Sequence, residues 1–280
     1  MIRLDTPYTT RNMPDIPELP FGIKNRRRDP DEWDKTIVAF QSPYRLKDLC
    51  IDQSQEKVSE ETSKEETRTS RQEFKVRLAT TEDRRKSASM LIEKMYSWRG
   101  YEANPLGQDP NKITLVAYLE DKVVGTLTLG LDSPGGMVVD QLYKNEADQL
   151  RAQGRKICDV TKLAVDQDIK SKSVLGALFH LSVIYGRNIH HATDFLIEVN
   201  PRHALFYQRM IGFVPFGEEK LCPRVNAPAV LLKLDLAYAD EQVKKYGGLG
   251  AEARGVKSIY PYWFSKEDEL GITQRLLKGD

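Results

Sequence analysis

Asp159, Thr161 and Lys162 interrupt the otherwise apolar run from Ile157 to Val165. Further on, Asn200-Pro-Arg-His203 follows directly on the apolar run Phe195 to Val199, and Tyr207 lies four residues after His203. A carboxylate such as Asp159 can accept a proton from an amine, directly or through water, or bind the ammonium form; it can equally be a paired structural group. Backbone N–H groups at Leu163, Ala164 and Val165 can bond a carbonyl oxygen or an extended ligand arm if the neighbouring strand splays away. Arg202 suits a phosphate or a carboxylate. Asn200 fits a helix cap as well as a ligand contact. His203 is either a base or a structural residue at a helix start. It shares a helix face with Tyr207. A phenol with a pKa near ~10 can protonate a thiolate, or simply be buried. Moving an acyl group from a thioester to an amine needs these functions. The amine must be neutral, the thioester held, the oxyanion stabilised and the leaving thiolate protonated.

The elements that position these groups follow from periodicity. Phe74, Val76 and Leu78 alternate with polar residues, which predicts a strand. Thr80 and Asp83 have capping-box-like spacing, so a helix is expected from there to about Trp98. Ile113 to Leu119 and Val123 to Leu129 predict a hairpin turning at Glu120-Asp-Lys122. A helix over about 140–153 ends at Gly154. The strand Ile157 to Val165 comes next. Val174 to Tyr185 is apolar nearly all round, so that helix should be buried. Strand Phe195 to Val199 carries Glu198 inside it. A short helix over 203–210 stops at Gly212, and Val230 to Leu236 is a last strand. Ser265 caps a final helix, with Glu267, Asp268 and Glu269 in its first turn. The order implies an α+β fold with a mixed central sheet flanked by helices.

Residues 1–71 are expected to be a largely disordered polar arm, because Gln53 to Arg71 holds too little apolar area to offset chain entropy. Within it, 59–66 could form a transient helix, and Tyr44-Arg-Leu-Lys-Asp-Leu could be a docking peptide. Residues 72–246 would form the main domain. Residues 247–280 would be an aromatic segment and helix packing upon it.

Lys plus Arg, 42, nearly balances Asp plus Glu, 41, so no global field points to nucleic acid. No apolar run suggests a membrane-spanning helix, and the N-terminus lacks a signal-peptide core. Three widely spaced cysteines argue against a disulfide framework and fit a reducing cytoplasm. His190 and His191 are adjacent, point apart on a helix and have no further ligand set nearby, so no metal site is expected. There is no Walker loop, no G-x-G-x-x-G and no G-x-S-x-G.

Together these segments resemble the GNAT superfamily of N-acetyltransferases. Phe206-Tyr207 with Ile211-Gly-Phe213 is similar to its closing F-Y-x-x-x-G-F signature, one residue longer here, and Leu163-Ala-Val165 is similar to its central strand. The coenzyme A pyrophosphate loop, Q/R-x-x-G-x-G/A, is reduced to Lys170-Ser-Lys-Ser-Val-Leu-Gly176, with the single glycine Gly176. Residues 74–264 look more closely like the long-chain N-acyl amino acid synthases, relatives of the acyl-homoserine-lactone synthases. That resemblance is carried by Val124-Gly-Thr-Leu-Thr-Leu129 with Asp132-Ser133, Tyr143 to Asp148, Gly154-Arg155 and Asp159 to Asp166. Val199-Asn-Pro-Arg-His203, Ala227 to Leu232 and Tyr260-Pro-Tyr-Trp-Phe264 extend it. That family usually has glutamate where this chain has Asp159, and the lactone synthases usually carry arginine near Lys162.

The resemblance implies transfer of a long-chain fatty acyl group from acyl carrier protein to an amino acid, with no tightly bound cofactor. Acyl-phosphopantetheine, or acyl-CoA, would be the donor. The chain would lie in a tunnel lined by the helix Val174 to Tyr185. The amino acid carboxylate would sit near Arg202 or Lys162. Asp159 would favour loss of the amine proton, backbone N–H groups near Leu163 to Val165 would hold the thioester oxygen, and Tyr207 would protonate the thiol. Lys170, Lys172 and Arg187 would receive the acidic carrier protein. Two alternatives stay open: an acetyl-CoA-dependent acetyltransferase of a small amine or protein lysine, and an inactive GNAT-like binding module whose polar arm holds the partner contact.

Overall fold

The structure, a computed structural model, describes residues 36–42, 72–97, 100–101, 104–169 and 171–279. The 59–66 helix, the Tyr44 peptide and Lys170 lie outside the described residues.

Eight strands form one sheet in the order β1-β2-β3-β4-β5-β6-β8-β7. They are β1 (Val38–Ser42), β2 (Gln72–Leu78), β3 (Lys112–Leu119), β4 (Lys122–Leu131), β5 (Ile157–Val165), β6 (Asp194–Val199), β7 (Val214–Cys222) and β8 (Ala227–Asp235). All neighbours are antiparallel except β5 and β6. β1 pairs with β2 from Val38 opposite Val76 to Ser42 opposite Gln72, so the expected polar arm contains a sheet strand. Its apolar residues Ile37, Val38 and Phe40 dock on the core, and Phe40 stacks on Phe74 at 5.8 Å. This short apolar patch was masked by the polar residues around it.

Helices cover both faces. α1 (Glu82–Ser97) packs Ala88, Leu91, Ile92 and Met95 on one face, and α2 (Asp140–Ala152) adds Tyr143, Ala147 and Leu150. The cap of α1 is Thr81, whose Oγ1 accepts from Arg84 N at 3.3 Å, one residue later than the expected Thr80. The opposite face holds the larger core, built on α3 (Lys172–Val183) with contributions from α4 (Pro201–Ile211), α5 (Leu236–Tyr246) and α6 (Lys266–Lys278). α3 continues into a π-helical turn, Ile184–Ile189.

α5 starts where β8 was expected to end: Asp235 caps it by accepting from Ala237 N at 2.8 Å. Its apolar Leu236, Ala239 and Val243 face the core.

The C-terminal elements are tied to α3 through buried His180. Its Nδ1 accepts from Phe264 N at 3.0 Å, so the neutral ring carries its proton on Nε2, which faces Glu269 Oε2 at 3.3 Å. The ring is stacked by Trp263 and Phe264, with centroids at 4.8 and 5.4 Å. Gly176 of α3 lies against the Tyr262 carbonyl, where an added Cβ would come within 2.7 Å of the oxygen. This glycine therefore serves the close packing of α3 against the C-terminal segment.

Candidate active site

β5 pairs with β6 at only three rungs: Ile157 with Asp194, Cys158 with Phe195 and Asp159 with Leu196. Beyond Asp159 the two strands part, although β5 stays paired with β4 to Val165 and β6 stays paired with β8 to Val199. A β-bulge helps to shape this split. The β4–β5 register shifts between Thr126 and Thr128, and Lys162 has φ 51°. One extra residue reverses the alternation of side chains, so Val160 and Leu163 face the same core while Ala164 packs against α1. The hydroxyl of Thr126 donates to Lys162 O at 2.9 Å and pins the bulge.

The split opens into a cavity of about 1380 Å³. Asp159, Thr161, Lys162 and Leu163 line it from β5; Asn200, His203 and Tyr207 line it from the far side. Ala164, Val165 and Arg202 are not among the lining residues. Of the apolar helix expected to form a tunnel wall, Phe179 alone among the described residues reaches the cavity. The rest of that helix is spent on the core, being apolar on every side. The apolar lining comes instead from residues including Leu78, Ile92, Leu106 and Ile113.

Asp159 is buried, with 2% of its surface exposed. Burial pushes its carboxyl up, amide N–H groups of Val139 and Val138 pull it back, and the balance lies at about 6. Val139 N donates to Oδ2 at 3.0 Å. The other oxygen occupies space left by Gly130 on β4: a Cβ there would lie 2.1 Å from Asp159 Oδ1. Gly130→Ala should therefore displace the carboxylate and lower turnover by about 10²-fold, the scale of a 1 Å misplacement. Steady-state kinetics beside a thermal melt checks this, and unchanged turnover would show that the carboxylate's position is unimportant.

The remaining groups are held as follows. Lys162 Nζ donates to Asn104 O at 2.7 Å, which anchors the 104–110 loop over the cavity. Asn200 caps α4 by accepting from Arg202 N at 3.2 Å, and its Nδ2 donates to Tyr101 OH at 3.3 Å. The Arg202 guanidinium reaches Tyr101 OH at 3.2 Å and His203 Nε2 at 3.3 Å. His203 Nε2 is thus an acceptor, so a neutral ring carries its proton on Nδ1. The Tyr207 ring packs edge-on against Phe179, Phe206 and Phe213. Cys158 adjoins Asp159, but burial pushes its thiol up to about 12, so it supplies no thiolate near neutrality.

Two further lining residues escaped the sequence reading of the site, Glu198 on β6 and Arg224 in the β7–β8 turn, which form an ion pair. Glu198 carried one signal, a charge inside an apolar strand; Arg224 carried none. Among the described residues no group of three or more His, Cys, Asp or Glu is placed to hold a metal. No helix among them is long and apolar enough to cross a membrane.

Residues 87–235, more than half of the chain, match the family model described as N-acyl amino acid synthase FeeM. The chain belongs to the FeeM family of N-acyl amino acid synthases. It is an acyltransferase. The solved structure of FeeM, an N-acyl amino acid synthase from uncultured soil microbes, is 23% identical with a TM-score of 0.57, over 61% of this chain and 95% of that one. An acyl-CoA N-acyltransferase from Pseudomonas aeruginosa is 12% identical with a TM-score of 0.41, over 57% and 97% of the two chains. An N-acetyltransferase from Staphylococcus aureus Mu50 is 13% identical with a TM-score of 0.40, over 59% and 98%. Searching the curated proteins gives no match. The fold is the GNAT-like N-acyltransferase fold, and in this chain its mixed sheet parts beside the cavity.

Proposed function

We propose that this FeeM-family enzyme moves a long-chain fatty acyl group from acyl carrier protein to the amine of an amino acid. The observation that carries the reading is the parted sheet, with buried Asp159 at its last closed rung and a cavity of about 1380 Å³ beyond. That volume exceeds the ~300–1,000 Å³ usual for a drug-sized ligand, so an acyl chain and an acceptor fit together.

Asp159 takes a proton from the incoming ammonium. The neutral nitrogen attacks the thioester carbonyl carbon, a C–N bond forms, and the carbonyl oxygen gathers negative charge. Asp166 N donates to Val124 O at 2.9 Å, so strand alternation turns the N–H of Val165 away from β4, and Leu163, in the bulge, lines the cavity. Their N–H groups can bond the thioester oxygen or the phosphopantetheine arm. The C–S bond then breaks, Tyr207 protonates the departing thiolate, and the second proton, released by the acylated nitrogen through water, restores the Tyr207 phenol and leaves a neutral amide.

The start of α3 supports carrier protein over coenzyme A as donor. A nucleotide pyrophosphate needs free N–H groups in a glycine-rich turn. Here the Ser171 hydroxyl accepts from Val174 N at 3.3 Å, and Gly176 is occupied by Tyr262. On the surface expected to receive the carrier, Lys172 lies over the Tyr262 ring at 5.5 Å, and Arg187 is paired with Asp240 at 3.4 Å. The ring contact leaves the positive charge of Lys172 unneutralised, whereas the Asp240 carboxylate offsets that of Arg187.

Mass spectrometry after mixing the protein with pooled amino acids and either palmitoyl-carrier protein or acyl-coenzyme A tests this. An N-palmitoyl amino acid formed from carrier protein and not from palmitoyl- or acetyl-coenzyme A is expected. Product from acetyl-coenzyme A alone would move the enzyme to the acetyltransferases, and no product from any donor would overturn the reading.

A further inference from the structure

The Glu198–Arg224 pair faces the same cavity as Asp159 but has no part in the steps above. Asp159 stands opposite Leu196, and Glu198 is two residues along β6, so it is on the same face of the sheet across the opening split. One Glu198 oxygen accepts from Arg224. The other, Oε2, is buried without a hydrogen-bond partner among the described residues. The neighbouring Cys222 thiol is a weak donor. A buried carboxylate oxygen met only by so weak a donor is costly, and a ligand donor would remove that cost.

Arg224 is also only partly used. It donates to Glu198, to Gln141 Oε1 at 2.8 Å and to Val138 O at 3.3 Å. Nε–H and one Nη2–H have no partner among the described residues. The site thus offers one anionic acceptor and a planar cationic fork side by side. An α-amino acid offers the converse, an ammonium and a carboxylate one carbon apart.

We propose that Glu198 and Arg224 bind the acceptor as a zwitterionic α-amino acid, Glu198 taking the ammonium and Arg224 the carboxylate. The inference rests on the synthase reading above and deepens it. The pair holds the nitrogen beside Asp159, which receives its proton. Arg224 disfavours simple amines and protein lysine side chains, because neither presents a carboxylate next to the reacting nitrogen.

The test compares three acceptors with wild-type enzyme and one acyl-carrier-protein donor: the best amino acid from the pool, its carboxamide, and the amine left by its decarboxylation. The amino acid should exceed both in kcat/KM by about 10- to 100-fold, the worth of hydrogen bonds to a charged group. Arg224→Gln should raise the KM for the amino acid by a similar factor, leave the donor KM unmoved and erase the preference over the carboxamide. Glu198→Gln, which can still bond Arg224, should raise the KM for amino acid and carboxamide alike. Equal kcat/KM for amino acid and carboxamide in the wild type would overturn the proposal while leaving acyl transfer standing. An unmoved acceptor KM in both variants would also overturn it. No product from any of the three acceptors would overturn the synthase reading and this inference together.

Discussion

Asp159→Asn is expected to lower kcat at saturating donor by about 10²- to 10⁴-fold, the usual worth of a positioned base. Structure should survive, since the asparagine Oδ1 can still accept from Val139 N, the bond that Asp159 makes at 3.0 Å. The pH dependence gives a sharper signature. With the carboxyl at about 6, wild-type turnover should rise with pH up to about 6 and then level, and the variant should lose that limb. Stability should move the other way. The folded-state value lies above the ordinary 3.8, so the native protein holds this proton more tightly than the unfolded chain. The stabilisation from that proton is complete below about 3.8 and lost as pH rises through about 6. At pH 7 the native protein carries a buried ionised carboxylate at a cost, so the variant should melt at or above the wild-type temperature. Turnover that is unchanged would remove Asp159 from the chemistry. A loss of turnover together with a lower melting temperature would make it structural.

Glu269→Ala should give the largest loss of stability, about 3–5 kcal/mol, the range for removing one partner of a buried ionic network. Burial alone would push the Glu269 carboxyl up. Hydrogen bonds from His180, Asn188 and Lys266 outweigh it and hold the carboxyl at about 2, below the ordinary 4.5. Asn188 Nδ2 and Lys266 Nζ reach Oε1 at 2.9 and 2.8 Å. Because the folded value is depressed, this contribution is present above about 4.5 and is lost as pH falls from there towards about 2. The gap in denaturant midpoint between wild type and variant should be narrower at pH 3.5 than at pH 7. Equal midpoints at pH 7 would show that the network contributes nothing to holding α6 on α3.

What the sequence disclosed and what it hid divide along a physical line. β5 was legible to the residue, Ile157 to Val165, because an apolar run bounded by polar residues fixes a strand locally. Gly212 and Ser265 marked helix ends for the same reason: left-handed backbone and a hydroxyl cap are local needs. β1 was hidden because the partner that makes it a strand, β2, lies about thirty residues away across a polar stretch. α5 was hidden because the β8 pattern runs on into Leu236 without a break, and only the cap at Asp235 divides them. In the site, Asp159 was readable as a charge in a strand. The glycine that gives it room was not, since Gly130 meets it only across the β4–β5 ladder. Arg224 sits in a turn of ordinary composition and becomes part of the cavity only once β7 and β8 fold back. Arg202 read as an anion clamp, yet its guanidinium is drawn to Tyr101, a contact spanning a hundred residues that no spacing reveals.

The three rungs joining β5 to β6 also set a limit on how this enzyme can be made sturdier. Five strands lie on one side of that seam and three on the other, and the backbone ladder between them stops at Asp159. Replacing residues so that the two strands zip further would add hydrogen bonds and harden the protein against heat. In the proposed mechanism every added rung would also close part of the opening that admits the thioester. Robustness and turnover therefore compete at one place in the chain, and gains in stability that leave catalysis intact must be sought elsewhere, in the cores packed beneath α1, α2 and α3.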